Sequence, residues 1–232
     1  DEVKMKNEAL QMAKEADVIV CAMGETADMS GECASRTNLE MPDVQHELLA
    51  ELAKMGKPVV LLNFAGRPTV LSWEKEHIPA IMNVWFGGSE MGDALCDVIF
   101  GDKVPSGKLT TSMPKTTGQE PLYYNHQNTG RPVPDDNQKF AKFASNCLDV
   151  SNGPLYPFGY GLSYTTFEYG DLKLSCHEVN RDDWKITATI NVKNTGSRDA
   201  DEIVQLYIRD MVASISRPVK ELKGFQRIHL AA

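Results

Sequence analysis

The chain has 232 residues, of which 42% are hydrophobic and 24% charged, a composition typical of a globular protein of one large domain or two modest ones. Its formal net charge of -8 argues against a nucleic-acid partner, because phosphate binding needs a basic face. No apolar run approaches the ~20 residues that a membrane-spanning helix needs, so we expect no membrane partner.

The N-terminal part of the chain alternates predicted helices with short apolar runs. Apolar spacing and turn residues predict helices over 1–16, 43–55, 66–76 and 87–100, and strands over 18–23, 58–63 and 80–85. The second apolar run is continuous, which is typical of a parallel strand covered on both faces. Strand and helix alternating at this spacing indicate βαβ units, and therefore a parallel sheet.

The loop that follows the first predicted strand, residues 24–42, is the most distinctive polar stretch of the chain. Its acidic residues are Glu25, Asp28, Glu32 and Glu40, and Arg36 is the obvious counter-charge. Open α/β sheets bind ligands at the carboxyl ends of their strands, where this loop must lie. We therefore expect any chemistry here, on one rim with the loops 63–67 and 85–90.

The C-terminal part of the chain changes character twice. From residue 101 to 157, frequent proline and glycine predict an extended segment with little regular structure. After Phe167 apolar residues recur at every second position, as in Ile186, Ala188, Ile190 and Val192, which predicts an antiparallel β-sandwich of immunoglobulin-like type.

The two ends of the chain look interrupted. Residues 1–6 already have the pattern of an amphipathic helix and lack a signal-peptide core. The last ~65 residues are few for such a sandwich, which usually has ~100. We therefore expect both domains to be incomplete and the chain to be a piece of a longer protein.

Several sequence motifs, in order from about residue 10 to residue 230, resemble those of one enzyme family. They are Gly24-Glu25 with Ser30-Gly31-Glu32-x-x-Ser35-Arg36-x-x-Leu39-x-Met41-Pro42; Gly66-Arg67-Pro68; Trp85-Phe86-Gly87-Gly88-Ser89-Glu90-Met91-Gly92; Gly101-Asp102-x-x-Pro105-Ser106-Gly107-Lys108-Leu109; the aromatic run 156–167; and Ser216-Arg217-Pro218-Val219-Lys220-Glu221-Leu222. The family that they resemble is glycoside hydrolase family 3. The stretch 123–132 is most similar to bacterial periplasmic β-glucosidases, which implies a periplasmic or secreted location.

The resemblance implies an α/β parallel-sheet sandwich domain over 1–114, an irregular wrapping segment and junction over 115–166, and a fibronectin type III-like β-sandwich over 167–232. The first and the last of these would be incomplete. The family's (β/α)8 barrel, which precedes the sandwich domain, lies outside this chain. The expected partners are therefore that barrel and a β-glucoside or oligosaccharide substrate.

The same resemblance implies a retaining glycosidase that hydrolyses terminal β-linked glucosyl residues. Such enzymes hold two carboxyl groups ~5–5.5 Å apart, one as nucleophile and one as general acid/base. Glu32 matches the family's acid/base position, with Cys33 where relatives often have a smaller residue. The family's nucleophile is an Asp on the barrel, so this piece alone should be inactive.

Four further residues are candidates for substrate binding. Trp85 ends a predicted strand on the same rim, where sugar stacking and core packing are equally open. Arg36 is either a structural partner of the loop or a substrate ligand, and Glu25 is either a loop anchor or an electrostatic neighbour of Glu32. Asn125 and His126 either reach the cleft or occupy a surface turn.

No spacing of His, Cys and Asp suggests a metal site and no glycine-rich turn suggests a nucleotide, so we predict no cofactor.

Three rival functions remain open from the sequence. A parent protein of β-xylosidase type shares the family and its mechanism. A non-catalytic carbohydrate-binding or interaction module would explain the lack of a nucleophile. A flavodoxin-like regulatory domain would need a phosphate loop or an acidic metal cluster, and the chain has neither motif.

Overall fold

A parallel sheet of three strands forms the centre of the N-terminal part. The structure, a computed structural model, describes residues 2–133, 142–180 and 184–232. Strands β1 (Ile19–Gly24), β2 (Val59–Phe64) and β3 (Ala80–Asn83) lie in that order, each parallel to its neighbour. The predicted parallel sheet is confirmed, and the carboxyl ends of its strands share one edge.

Helices pack against this sheet and enclose its core. They are α1 (Glu2–Glu15), α2 (Asp43–Ala53) and α3 (Ser72–His77); a further helix, α4 (Met91–Ile99), has no buried residue. Leu49 of α2 and Leu61 of β2 are fully buried, as the apolar stripe and the continuous apolar strand predicted. The buried cluster consists of Ala13, Ile19, Cys21, Met41, Leu49, Leu52, Val59, Leu61 and Ile78.

Two of the predicted helices begin later than the sequence pattern suggested. The prediction of a helix from Gly66 was wrong, since α3 begins only at Ser72. The N–H of Gly66 donates to the Glu25 carboxylate (3.0 Å), and the N–H of Val70 donates to a carbonyl of the loop after β1 (2.9 Å), so neither joins a helical ladder. Helix α4 likewise begins at Met91 rather than at residue 87, because Gly88 has φ +77°.

The segment 101–157 has little regular structure in its described part, as predicted. It contains a short 3₁₀ turn at Thr117–Gln119 and an isolated bridge between Met113 and Tyr156. The side chain of Met113 is fully buried, and the Ser72 hydroxyl donates to the carbonyl of Lys115 (2.7 Å). Buried contacts of this kind hold the segment without a helix or a sheet.

By its internal contacts the chain forms two compact units, residues 1–92, 109–158 and 209–220 in one and 93–108, 159–208 and 221–232 in the other. The second unit is built from short antiparallel ladders. Strands β4 (Phe167–Tyr169) and β5 (Lys173–Leu174) pair with β7 (Val192–Asn194) and β6 (Ala188–Thr189), while β8 (Ala200–Ile208) pairs with β9 (Glu221–Leu230). The predicted strand through 186–192 is therefore interrupted.

A buried carboxylate holds the second unit together. Glu202 of β8 accepts a hydrogen bond from the Tyr169 hydroxyl (2.8 Å) and pairs with the Lys108 ammonium (3.2 Å). Burial, followed by the hydrogen bond to Glu202, raises the pKa of Tyr169 well above its usual range.

Among the described helices, none is both long and apolar enough to cross a bilayer. Within the same ranges, no group of three or more His, Cys, Asp or Glu side chains is arranged to hold a metal ion.

Candidate active site

Glu32 lies at the exposed tip of the loop that follows β1. The N–H of Ala34 donates to the carbonyl of Gly31 (3.2 Å), which closes a turn with Glu32 and Cys33 at its centre. Cys33 has φ +60°, a left-handed conformation such as the third position of a type II turn requires. In the described part of the chain nothing bonds the Glu32 carboxylate, so it is available to a group outside the loop.

The base of the loop is organised around Glu25, whose side chain is only 1% exposed. One carboxylate oxygen, Oε1, pairs with Nη1 of Arg36 (3.1 Å) and with Nε of Arg67 (2.9 Å). The other, Oε2, accepts the backbone N–H of Gly66 (3.0 Å). We call Glu25, Arg36, Arg67 and the Gly66 N–H the Glu25 cluster, and its pairing satisfies a charge that would otherwise be costly to bury.

Arg67 connects this cluster to the backbone on both sides of the Glu32 turn. Its Nη2 donates to the carbonyl of Met29 (2.7 Å) and to that of Ala34 (3.3 Å). Residues 30–33 lie between those two carbonyls. Arg67 was quoted only as part of the Gly66-Arg67-Pro68 motif and was not predicted to be a residue of the site.

Close backbone packing fixes where the loop leaves the sheet. Gly24, at φ +133°, would place a Cβ only 1.9 Å from the carbonyl oxygen of Phe64 on β2. The side chain of Gln45 holds both polar groups of Gly24, accepting its N–H (2.7 Å) and donating to its carbonyl (3.0 Å). The loop therefore starts from one defined position.

The far end of the loop is held by separate hydrogen bonds. Leu39 accepts the N–H of Val70 at its carbonyl (2.9 Å) and donates its own N–H to the Thr117 hydroxyl (3.3 Å). Arg36 also donates to the carbonyl of Glu40 (3.1 Å). Because both ends are fixed and the tip is exposed, the loop presents Glu32 at a defined place on the rim.

Trp85 lies on the same rim, just after β3. It is half-buried and has φ +51°, a conformation that is strained for a large side chain. Strand β3 ends at Asn83, two residues earlier than predicted, and the preceding Val84 donates its N–H to the Asn63 carbonyl (3.0 Å). The indole is thus at the edge of the sheet and outside its fully buried core, a position open to a ligand.

Asn125 and His126 are exposed residues of a turn in the irregular segment. The His126 carbonyl accepts the N–H of Val219 (3.0 Å), and Nδ1 of His126 lies 3.0 Å from the Gln127 carbonyl. In the described part of the chain, no hydrogen bond or ion pair of Asn125 or His126 reaches the Glu32 loop. The structure therefore brings Glu32 and Arg36 into one loop, places Trp85 on the same rim, and leaves Asn125 and His126 in a separate surface turn.

The charges around the loop bear on the two roles considered for Glu25 and for Arg36. Glu25 is neutralised by two guanidinium groups, so it offers no free negative charge to Glu32, and this supports the loop-anchor role. The bonds of Arg36 to Glu25 and to the loop backbone likewise support a structural role. Near the tip, the hydrogen bond from the Thr26 hydroxyl (2.5 Å) lowers the pKa of the Asp28 carboxyl, so Asp28 stays ionised.

Comparisons with known proteins identify relatives over the whole chain. The family model of the glycosyl hydrolase family 3 C-terminal domain matches residues 2–164, and that of the fibronectin type III-like domain matches residues 202–232. A periplasmic beta-glucosidase of Salmonella typhimurium is 50% identical over 226 residues, which are 97% of this chain and 29% of that protein. A beta-xylosidase of Formosa agariphila is 41% identical, over 96% of this chain and 30% of that protein.

Solved structures give the same result. A beta-glucosidase from Listeria innocua in complex with gluconolactone superposes with a TM-score of 0.88 at 40% identity, covering 100% of this chain and 31% of that one. A mutant of the Listeria innocua beta-glucosidase in complex with laminaribiose superposes with a TM-score of 0.89. The chain thus spans about 29% to 31% of the length of these relatives.

Proposed function

Because the chain belongs to glycoside hydrolase family 3, we propose that it supplies the general acid/base, Glu32, of a retaining β-glycosidase that hydrolyses terminal β-linked glucosyl residues. The observation that carries this proposal is the exposed carboxylate of Glu32, which no described residue bonds, at the tip of a loop whose two ends are fixed. An acid/base must be held in place and yet be free to exchange a proton with substrate and water.

In this mechanism Glu32 acts twice. It donates its proton to the glycosidic oxygen as the nucleophile attacks the anomeric carbon, and the aglycone leaves as an alcohol. As a carboxylate, it then takes a proton from the water that hydrolyses the glycosyl-enzyme. The nucleophile would be an Asp on a barrel domain of the parent protein, ~5–5.5 Å from the Glu32 carboxyl.

The substrate-binding residues are proposed on narrower grounds. Trp85 would stack its indole against the C–H face of a sugar, supported by its half-buried place on the rim. Arg36, Asn125 and His126 would contact substrate only in the assembled parent protein. For Arg36 the bonds within the Glu25 cluster favour the structural role instead.

Replacing Glu32 in a protein that joins this chain to its barrel domain tests the proposal. We expect Glu32→Ala to retain glycosylation by aryl β-glucosides with good leaving groups, since those need little acid assistance, and to hydrolyse the glycosyl-enzyme slowly. Azide, which needs no general base, should restore turnover and yield glucosyl azide. The control Glu76→Ala removes an exposed helical carboxylate and should behave as wild type. An unrescued Glu32→Ala would contradict the assignment.

A β-xylosidase is the second candidate, supported by the beta-xylosidase relative at 41% identity. Comparing kcat/KM for matched aryl β-glucosides and β-xylosides separates the two, because one hydroxymethyl group distinguishes the sugars. A periplasmic location is proposed from the name of the relative at 50% identity. Fractionation of the native host, with the protein recovered in the cytoplasm, would contradict it.

A further inference from the structure

The Arg67 side chain joins the strand β2 loop to the loop that carries Glu32. We propose that Arg67 is a positioning residue, which sets the place and orientation of the Glu32 turn; this inference rests on the proposed acid/base role of Glu32. Its Nε forms an ion pair with the Glu25 carboxylate. Its Nη2 donates hydrogen bonds to the carbonyls of Met29 and Ala34. Those carbonyls lie immediately before and after residues 30–33, so one rigid group fixes both arms of the turn.

The guanidinium can do this because its own orientation is fixed. Arginine presents its nitrogen atoms in one rigid plane, so the ion pair that holds Nε beside Glu25, although it lacks hydrogen-bond geometry, also sets the direction of Nη2. Glu25 is a fixed partner for Nε of Arg67. Its side chain is only 1% exposed, and Arg36 and the Gly66 N–H also hold it. A lysine ammonium at position 67 is a single point charge on a flexible stem and could not hold the carboxylate and both carbonyls in the same way.

Gly66 adds steric support to the same arrangement. A Cβ at this position would lie 2.0 Å from Oγ of Ser30, the residue that precedes the Glu32 turn. The backbone beside Arg67 therefore packs directly against the loop that the Arg67 side chain holds.

Arg36 provides the matched comparison within the same cluster. It also pairs with Glu25, but its other bond goes to the carbonyl of Glu40, beyond the turn. Removing either arginine leaves Glu25 with one guanidinium and the Gly66 N–H, so each single variant should fold. Only the loss of Arg67 releases the two carbonyls that flank Glu32.

The kinetic signature follows from the step that uses Glu32. A displaced acid slows glycosylation most when the leaving group is poor and must be protonated as it departs. Misplacement by about 1 Å can cost about 100-fold in rate. Arg67→Ala should therefore lose about 100-fold in kcat/KM for alkyl β-glucosides, and only a few-fold for aryl glucosides whose phenols are strongly acidic.

The test is a leaving-group series with the protein that joins this chain to its barrel domain. Arg67→Ala, Arg67→Lys and Arg36→Ala are compared with wild type, and Arg227→Ala, which removes an exposed arginine that pairs with Asp201, is the control. Active-site titration with a 2-fluoro glycoside, which traps the nucleophile, corrects each rate for the folded fraction. We expect log kcat/KM to depend more steeply on leaving-group pKa in Arg67→Ala than in wild type, with a smaller increase in slope in Arg67→Lys. Arg36→Ala and Arg227→Ala should have the wild-type slope.

Two outcomes would overturn the positioning role. One is a uniform loss across the series after titration, the mark of general destabilisation. The other is an equal change of slope in Arg36→Ala. If Arg67→Ala does not fold, the slope of Arg67→Lys decides. Failure of the proposed function is distinguishable, because Glu32→Ala would then show no azide rescue whatever the behaviour of Arg67.

Discussion

Replacing Glu25 by glutamine is the sharpest test of how the active-site loop is held. The substitution keeps the shape of the side chain but removes its charge. Oε1 faces two guanidinium groups and Oε2 faces the Gly66 N–H, so each oxygen position receives only donors. Either orientation of the glutamine amide therefore points an NH₂ group at another donor.

The expected cost follows from the burial of the cluster. Removing one partner of a buried ion pair destabilises a protein by about 3–5 kcal/mol. The side chains of Arg36 and Arg67 are 19% and 18% exposed, so water can solvate part of their released charge. We therefore expect Glu25→Gln to lower the free energy of unfolding by about 3 kcal/mol, at the lower end of that range.

Urea unfolding of the chain, followed by far-ultraviolet circular dichroism, measures this loss through the helices of the first unit. The control is Asp201→Asn, the same acid-to-amide change at a carboxylate that is 26% exposed. Asp201 also has two partners, the Arg227 guanidinium and the His229 ring, but these are 65% and 67% exposed. Screening by water makes such surface pairs weak, so the control should lose much less stability than Glu25→Gln.

Two results would refute this reasoning. If Glu25→Gln unfolds at the urea concentration of wild type, the buried ion pairs do not stabilise the loop. If Asp201→Asn loses as much stability as Glu25→Gln, burial is not what distinguishes the two clusters.

Two further predictions concern the glycine at the start of the loop and the buried carboxylate of the second unit. Gly24→Ala should cost at least about 3 kcal/mol of unfolding free energy, measured by urea unfolding, because φ +133° disfavours a side chain and a backbone oxygen of β2 lies 1.9 Å from the new Cβ. Tyr169→Phe should cost about 1–2 kcal/mol at neutral pH, since the hydroxyl donates to the buried Glu202 (2.8 Å). Because the folded-state pKa of Tyr169 is raised, this contribution is complete below the ordinary tyrosine pKa of about 10 and is lost as pH rises above it.

Controls separate these effects from general sensitivity to substitution. Gly118→Ala, where no atom lies within 4 Å of the added Cβ, should change the free energy of unfolding by less than about 0.5 kcal/mol. An equal loss in Gly24→Ala and Gly118→Ala would contradict the steric argument. In an ultraviolet titration, Tyr169→Phe should lack one tyrosine that in wild type ionises only above the ordinary tyrosine pKa of about 10. If the tyrosine missing from the Tyr169→Phe curve is instead one that ionises near the ordinary pKa of about 10, the role of Glu202 is contradicted.

The elements that depend on local sequence pattern were predictable. The continuous apolar run of β2 and the apolar stripe around Leu49 of α2 predicted that these residues are buried. Such patterns involve only residues close together in the sequence, because the periods of strand and helix determine which neighbours share a face. The polar loop after β1 and the place of Glu32 on its exposed part were also predictable, since the end of a parallel strand fixes the rim on which its loop lies.

Contacts between distant residues were not predictable in the same way. Arg67 reaches back 38 positions to the carbonyl of Met29, and no periodicity encodes such a contact. The late start of α3 has the same origin, because Val70 gives its N–H to Leu39 instead of to a helical neighbour. The positive φ of Trp85, which shortened β3, likewise depends on tertiary packing that overrides local preference.

Two guanidinium groups sharing one carboxylate oxygen restrict the routes by which this loop can diverge among related sequences. As far as the charge of Glu25 is concerned, either arginine can be lost alone, because the other still neutralises it, although the loss of Arg67 should lower activity. Losing both would leave the buried Glu25 carboxylate without a cationic partner. The second loss should therefore be tolerated only after Glu25 has itself been replaced by a neutral residue. Lineages should therefore keep the acid with at least one arginine or lose all three, and the order of the replacements is set by electrostatics.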